Sequence, residues 1–203
     1  MNQPPSPSNP FNPGYFHTDE LLEFGFRQVG RNVSIARNTT IIGLHNISIG
    51  DNVRIDGNTT IAAHAGSLTV GHHVHIGGGC FLACAGSVTL EDFSGLSQGV
   101  RIYSSSDDYS GEALTNPTVP RAYLNLRLAP VVLGRHVIVG SGSVLLPGVH
   151  LHEGVAVGSL SLVAKSLDAW GVYAGTPARR IKERSKTLLS LEQMLLAEER
   201  QKP

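Results

Sequence analysis

The sequence predicts an all-β protein: a parallel β-helix that extrudes one loop and ends in an α-helix. Three observations lead there. The first is a six-residue period. From Val29 the chain parses as VGRNVS, IARNTT, IIGLHN, then IGDNVR, IDGNTT, IAAHAG, then VGHHVH, IGGGCF, LACAGS, then LEDFSG, LSQGVR, IYSSSD. After an interruption it resumes as LGRHVI, VGSGSV, LLPGVH, LHEGVA, VGSLSL. The second is a longer period of about twenty residues, three hexads plus a short extra at Ile47-Ser48, Ser67-Leu68-Thr69 and Val88-Thr89. The third is composition. Six Phe and one Trp among 203 residues, beside abundant Ile, Val, Leu, Gly, Ser and Thr, suit a narrow interior.

The period has a physical meaning. Neither a helix nor a long strand repeats at six, but short strands separated by regular corners do. The aliphatic residue that opens each hexad points inward. Position five is small or β-branched in most hexads (Val33, Thr59, Cys80 and Ser143 among them) and fills the space before the next corner. Gly and Asn between them supply the φ > 0 geometry that corners often need. Stacked coils then bury a continuous aliphatic column, with β-ladders running along the stack.

Taken in order, residues 1–16 are rich in Pro, Asn and Ser and read as a disordered arm. Residues 17–28 read as a short helix, with Thr18 as N-cap, Asp19 and Glu20 in its first turn and Gly25 ending it. The coiled domain is placed at residues 29–181. Residues 107–130 break the beat and carry Asn116-Pro117, Pro120 and Pro130, so they read as a loop leaving the coil. A long loop in a compact repeat domain is usually functional. Residues 182–203 have a helical pattern, and a terminal helix there is expected to cap the open end of the stack.

Charge and motifs narrow the function. Sixteen basic and sixteen acidic residues leave no net charge, and no basic surplus points to nucleic acid. No apolar run is long enough to span a membrane, and no signal-peptide pattern opens the chain, so a cytoplasmic protein without stable membrane insertion is expected. Cys80 and Cys84 lie in adjacent hexads and read as buried thiols.

The ordered set HVHI (residues 73–76), FSGLSQGV (93–100), SDDYSGEALTNPTVP (106–120), GRHVIVGSGSVLLPGV (134–149), VGSLSLV (157–163) and YAGTPARRIKER (173–184) resembles the hexapeptide-repeat acyltransferases. The resemblance covers residues 25–184 and is nearest to sugar O-acetyltransferases of the galactoside and lipopolysaccharide type. It implies a left-handed coil, acetyl-CoA as co-substrate and no metal. It also implies a homotrimer with sites between subunits. The expected activity is acetyl transfer to a hydroxyl of a saccharide or a nucleotide- or lipid-linked sugar, in surface polysaccharide synthesis. Amino-sugar N-acetylation and xenobiotic acetylation are the alternatives. A zinc hydratase of the same fold is a distant one, because it needs three converging histidines.

Acyl transfer to an alcohol needs a base for the proton and a donor for the developing oxyanion. Val74 and Ile76 point inward, so His75 stands on an outer face while His72 and His73 lie toward a corner. In the galactoside-type relatives a His-Pro pair begins the loop and supplies the base; here that place reads Asp107-Asp108. His75 is therefore the expected base, with His73 or a carboxylate as the alternative and Asp107 or Asp108 orienting it or the sugar. Tyr109, Ser110 and Glu112 suit a carbohydrate acceptor. Carried over from the resemblance, the donor site comprises Ser141, Ser159, Ala164, Lys165, Arg179 and Lys182. Gly140 and Gly158 let backbone N–H groups approach the thioester, and the three basic residues meet the coenzyme phosphates. Trp170 and the histidines at 17, 45, 64, 136, 150 and 152 are given no catalytic role.

Overall fold

A computed structural model describes Asn9 and residues 11–201. The hexads form a left-handed parallel β-helix with three flat faces. The first face stacks nine strands: Tyr15–His17, Ser34–Ala36, Arg54–Ile55, His75–Ile76, Gly95–Leu96, Ile138–Val139, Ala156–Val157, Gly171–Ala174 and Arg179–Glu183. The second stacks six: Thr40–Ile42, Thr60–Ala62, Phe81–Ala83, Arg101–Tyr103, Val144–Leu145 and Leu162–Val163. The third also stacks six, from Gln28–Val29 and Ile47–Ile49 through Leu68–Val70, Val88–Leu90 and Val131–Leu133 to His150–Leu151. Registers place equivalent hexad positions directly over one another, as in Ile55 over Ile76 and Leu82 over Ile102.

The interior is the aliphatic column that the period requires. Ile35, Ile55, Ile76, Leu96, Val139 and Val157 line the inside of the first face. Each such burial contributes about 1.5–3 kcal/mol. Polar residues at position five bond to backbone carbonyls, Thr59 and Ser143 in the next coil and Ser161 in its own. Thr59 Oγ1 donates to Gly77 O at 3.2 Å, and Ser143 Oγ and Ser161 Oγ both donate to Gly158 O, at 3.1 and 2.7 Å. Cys80 and Cys84 are free thiols inside the column, pushed up by burial to about 11 and about 12.

The two ends differ from expectation. Of the arm expected at residues 1–16, residues 1–8 and 10 lie outside the described residues, but Tyr15 and Phe16 belong to a strand. Tyr15–His17 pairs antiparallel with Ser34–Ala36 and extends the first face. The following helix, α1 (Thr18–Leu21), is one turn long, and its N-cap is His17. Thr18 instead ties coils together, donating to Gly30 O and accepting the Val33 N–H. Gln28 is already in the coil.

At the other end, residues 179–183 form a strand that folds back antiparallel on Gly171–Ala174, so the helix expected from residue 182 begins later. It is α2 (Leu188–Arg200), and residues 202–203 lie outside the described residues. This helix does not cap the stack; the antiparallel strand covers the last first-face strand. α2 runs back along the corner between the third and first faces. Arg184 turns the chain there, its guanidinium donating to His136 O and Gly154 O at 2.6 and 3.1 Å.

Candidate active site

The corner under α2 is built from residues with positive φ. Asn32, Asn52, His73, Phe93, His136 and Trp170 occupy equivalent corner positions with φ between +54° and +60°. Left-handed backbone is costly for bulky side chains, and ring stacking offsets the cost. His73 stacks on Phe93 at 4.7 Å and Phe93 on His136 at 5.2 Å. Gly154 sits in the coil between His136 and Trp170; a Cβ there would lie 2.4 Å from the indole, so only glycine lets Trp170 join the column. α2 closes over these rings with its acidic side. Glu192 takes Arg135 and, at 2.8 Å, His136; Glu199 takes His73 at 3.3 Å. A cleft of about 470 Å³ remains, lined by Arg31, His72, Asp92 and the helix.

His75 lies two residues from His73 but in extended backbone. Its ring projects from the first face, about half exposed. Nε2 lies 2.8 Å from Asp56 Oδ2 in the coil below. Asp56 is further held by Arg54 Nε at 2.7 Å and by the Tyr15 hydroxyl at 2.9 Å. Burial is the largest influence on Asp56 and raises it, but the hydrogen bonds from His75, Arg54 and Tyr15 together hold its carboxyl below the ordinary range.

The extruded loop leaves at the opposite corner, between the second and third faces. Ser105–Ser106 and Arg127–Leu128 pair antiparallel as its stem. Asp108 organises the loop internally. Its carboxylate accepts the Ser110 hydroxyl and the N–H groups of Ser110, Glu112 and Ala113, which lowers its pKa, the Ser110 hydroxyl contributing most. Asp107 is half-buried and turned to a groove of about 1000 Å³. Tyr103, Ser106, Asp108, Tyr109, Arg127 and Ala164 share the lining, so expected acceptor and donor residues meet there. Ser110 and Glu112 do not line it; Glu112 borders a smaller pocket within the loop.

The remaining donor candidates are spread along the last coils. Ser141 and Ser159 stack at the corner between the first and second faces, where Leu160 N–H donates to Ser141 O. The N–H groups of Gly140 and Gly158 are taken by Val157 O and Tyr173 O, so they are not free to meet a thioester as expected. Those of the following Ser141 and Ser159 have no acceptor among the described residues. A Cβ at Gly140 would come within 2.5 Å of the Ser159 backbone, so this glycine serves coil packing. Lys165 is exposed beyond the groove, while Arg179 and Lys182 stand on the last first-face strand. Within one chain these three cations do not converge.

A single chain therefore presents His75 on one face and Asp107 on a different corner, with no contact between them. The Asp56, Arg54 and Tyr15 partners of His75 escaped sequence reasoning. They come from two separate stretches, and only the coil-to-coil register joins them. Among the described residues no group of three His, Cys, Asp or Glu side chains is placed to hold a metal, and no helix is long and apolar enough to cross a membrane.

No family model matches the chain. Known proteins do. It is 44% identical to a dTDP-4-amino-4,6-dideoxy-D-glucose acyltransferase of Escherichia coli, over 88% of this chain and 93% of the relative. AntD, an N-acyltransferase from Bacillus cereus solved in complex with dTDP and 3-hydroxybutyryl-CoA, superposes with a TM-score of 0.88 at 38% identity, covering 93% of this chain and 99% of AntD. Its solved variants alter a serine and an aspartate ten positions later, and two of the serine variants hold dTDP-4-amino-4,6-dideoxyglucose and coenzyme A. A putative colanic acid biosynthesis acetyltransferase, WcaF of Escherichia coli K12, is 29% identical over 72% of this chain and 75% of its own length. The chain belongs to the hexapeptide-repeat sugar acyltransferases, β-helical enzymes that take their acyl group from a coenzyme A thioester.

Proposed function

We propose that this enzyme acylates the 4-amino group of a dTDP-linked 4-amino-4,6-dideoxy sugar, with acetyl-CoA as donor. The observation that carries this reading is the 44% identity, over nearly the whole of both chains, to an acyltransferase for that sugar nucleotide. Transfer to a sugar hydroxyl, the first expectation from the motifs, is the alternative. The deciding experiment offers acetyl-CoA with dTDP-4-amino-4,6-dideoxyglucose or with the 4-hydroxy analogue, following thiol release and product mass. Rapid N-acetylation with little turnover of the analogue is expected. Equal or faster turnover of the hydroxy sugar would sink the amine reading.

The site is completed between copies in a homotrimer. Outward residues of the third face are polar but for Val132 (Gln28, Ser48, Thr69, Thr89, His150), whereas the second carries Ile42, Ala62, Phe81, Val144 and Leu162 beside Thr40, Thr60 and Arg101, and the first passes from Arg54 and His75 to Ile138, Ala156 and Val172 in its later coils. First face against second face is the pairing that buries more apolar surface, chiefly in the later coils. It sets His75 of one copy toward the Asp107 groove of the next. The only serine in this sequence followed ten positions later by an aspartate is Ser97, with Asp107. Ser97 follows the first-face strand one coil above His75, so that pair also needs two copies to meet.

The chemistry follows. The amine nitrogen attacks the thioester carbonyl, the C–S bond breaks, the nitrogen gives up a proton and the departing thiolate takes one. His75 accepts the proton and can return it to sulfur. Asp107 and Ser97 hold the amine in line. The free N–H groups of Ser141 and Ser159 suit the carbonyl oxygen as charge develops. Lys165, Arg179 and Lys182, drawn from adjoining copies, suit the coenzyme phosphates. Calorimetry should show coenzyme A binding weakened in Lys165→Ala and Arg179→Ala. Unchanged affinity in both would remove these residues from the donor site.

A further inference from the structure

The first face carries a closed set of hydrogen bonds around Asp56. His75 lies directly over Arg54 in the parallel register. The Arg54 guanidinium does not reach up to the imidazole. It bends along its own strand, with Nε donating to Asp56 Oδ1 at 2.7 Å. Its second nitrogen donates to the Tyr15 hydroxyl at 2.9 Å, and that hydroxyl donates to the same Asp56 Oδ1 at 2.9 Å. Three side chains thus close a triangle that fills Oδ1. The other oxygen, Oδ2, receives only His75 Nε2, at 2.8 Å. Tyr15 enters from the N-terminal strand, outside every hexad.

The consequence is chemical. An ionised carboxylate only accepts hydrogen bonds, so the imidazole proton must sit on Nε2. Nδ1 then carries the lone pair, and no described residue hydrogen-bonds to it. Because half of the ring is exposed while the Asp56 side chain is only 19% exposed, the free nitrogen is the outward one and its orienting partner is the sheltered one. An isolated surface ion pair contributes little and lets both side chains wander. Here a second strand and a guanidinium fix the carboxylate, so the ring inherits one orientation.

We propose that Asp56, locked by Arg54 and by Tyr15 of the N-terminal strand, is the positioning residue of the acyl-transfer site, holding the His75 proton on Nε2 and presenting Nδ1 to the incoming amine. The N-terminal strand is then part of the catalytic apparatus and not merely an extension of the sheet. This rests on the reading that His75 faces the acceptor. An Asp that orients a catalytic imidazole acts through tautomer and direction rather than by taking the proton itself.

The test combines nitrogen-15 spectra of the histidine-labelled full-length enzyme with steady-state kinetics. The wild-type spectrum should show the Nε2–H tautomer at His75, assigned by its loss in His75→Ala. Asp56→Asn should give mixed tautomers and a kcat about ten- to a hundredfold lower, with KM for both substrates nearly unchanged; that loss is smaller than removal of a base causes. Tyr15→Phe keeps the ring and the strand, and should give a partial version of both effects. It remains informative if Asp56→Asn folds poorly. A wild-type Nδ1–H tautomer, or an Nε2–H tautomer that persists in both variants, overturns the proposal whatever the kinetics show. Normal kcat in Asp56→Asn beside a damaged His75→Ala also overturns it, while leaving His75 in the site. Normal kcat in both variants overturns the His75 reading and the positioning role with it.

Discussion

His73 and His75 stand two residues apart in one strand-and-corner segment, and their surroundings are opposite. His73 sits at a corner in left-handed backbone, stacked on Phe93 and covered by Glu199 of α2. Its neighbourhood is satisfied from within the chain. His75 sits in extended backbone on a flat face, with one nitrogen fixed by Asp56 and the other free. Its neighbourhood is half built. Corners that project aromatic rings hold the terminal helix, whereas the face that projects the held imidazole leaves it half exposed. Identical chemistry thus serves attachment at one position and availability at the next.

Substitution is the sharpest way to break that contrast. His75→Ala should lower kcat by about two to four powers of ten, the usual worth of a positioned base, with coenzyme A affinity unchanged. His73→Ala should leave kcat within a few-fold of wild type and loosen α2 instead. If steady-state rates show the reverse, the base role passes to His73 and the two environments have been misassigned. Asp107→Asn should come next, chiefly raising KM for the sugar acceptor by about tenfold, as expected for loss of a charged hydrogen bond of about 1.5 kcal/mol. An unchanged KM would leave the groove without its acceptor role.

The closed corner has its own test. Glu192 is 9% exposed and answers both Arg135 and His136. Glu192→Ala leaves the Arg135 guanidinium and the His136 ring without their shared partner and should cost about 1.5–3 kcal/mol of helix docking, read as faster hydrogen exchange across residues 188–200. Turnover should change much less. Exchange confined to wild-type rates would mean that the helix is held by Arg184 and the ring column without the acidic pairs.

The smallest effect expected is on pH. His150 is held below the ordinary histidine value, first by burial and then by the charge of His152. The unfolded chain therefore binds more protons as pH falls through the ordinary value of about 6.5. The stability that comes from keeping His150 neutral is present above that pH and is lost below it. Melting curves of wild type and His150→Gln should converge as pH drops from 7.5 to about 5.5. A constant gap would assign His150 no part in the pH dependence.

Much of the fold was legible because the hexad period is strictly local. Aliphatic position one and small position five alone specify where each strand lies and which side faces in. The ends were not legible for the complementary reason. Tyr15–His17 has no period of its own and becomes a strand only because Ser34–Ala36 offers an edge. Residues 182–183 read as the start of the terminal helix, until Gly171–Ala174 recruits them, with 179–181, as a strand.

The site divides in the same way. Sequence by itself determined that His75 points outward, since alternation about Val74 and Ile76 leaves it no other side. It also placed the loop at Asp107, where the period fails. Only the tertiary structure decided that Asp108 is consumed by its own loop, that the Gly140 and Gly158 N–H groups belong to the ladder, and that Asp56, Arg54 and Tyr15 gather beneath His75. The first is settled within the loop, by residues two to five positions on; the others depend on coil-to-coil register and on the pairing of the N-terminal strand, relations between residues about fifteen or more positions apart. A side chain's direction is set by its own backbone, but its partners are set by whichever residues the stack brings above and below it.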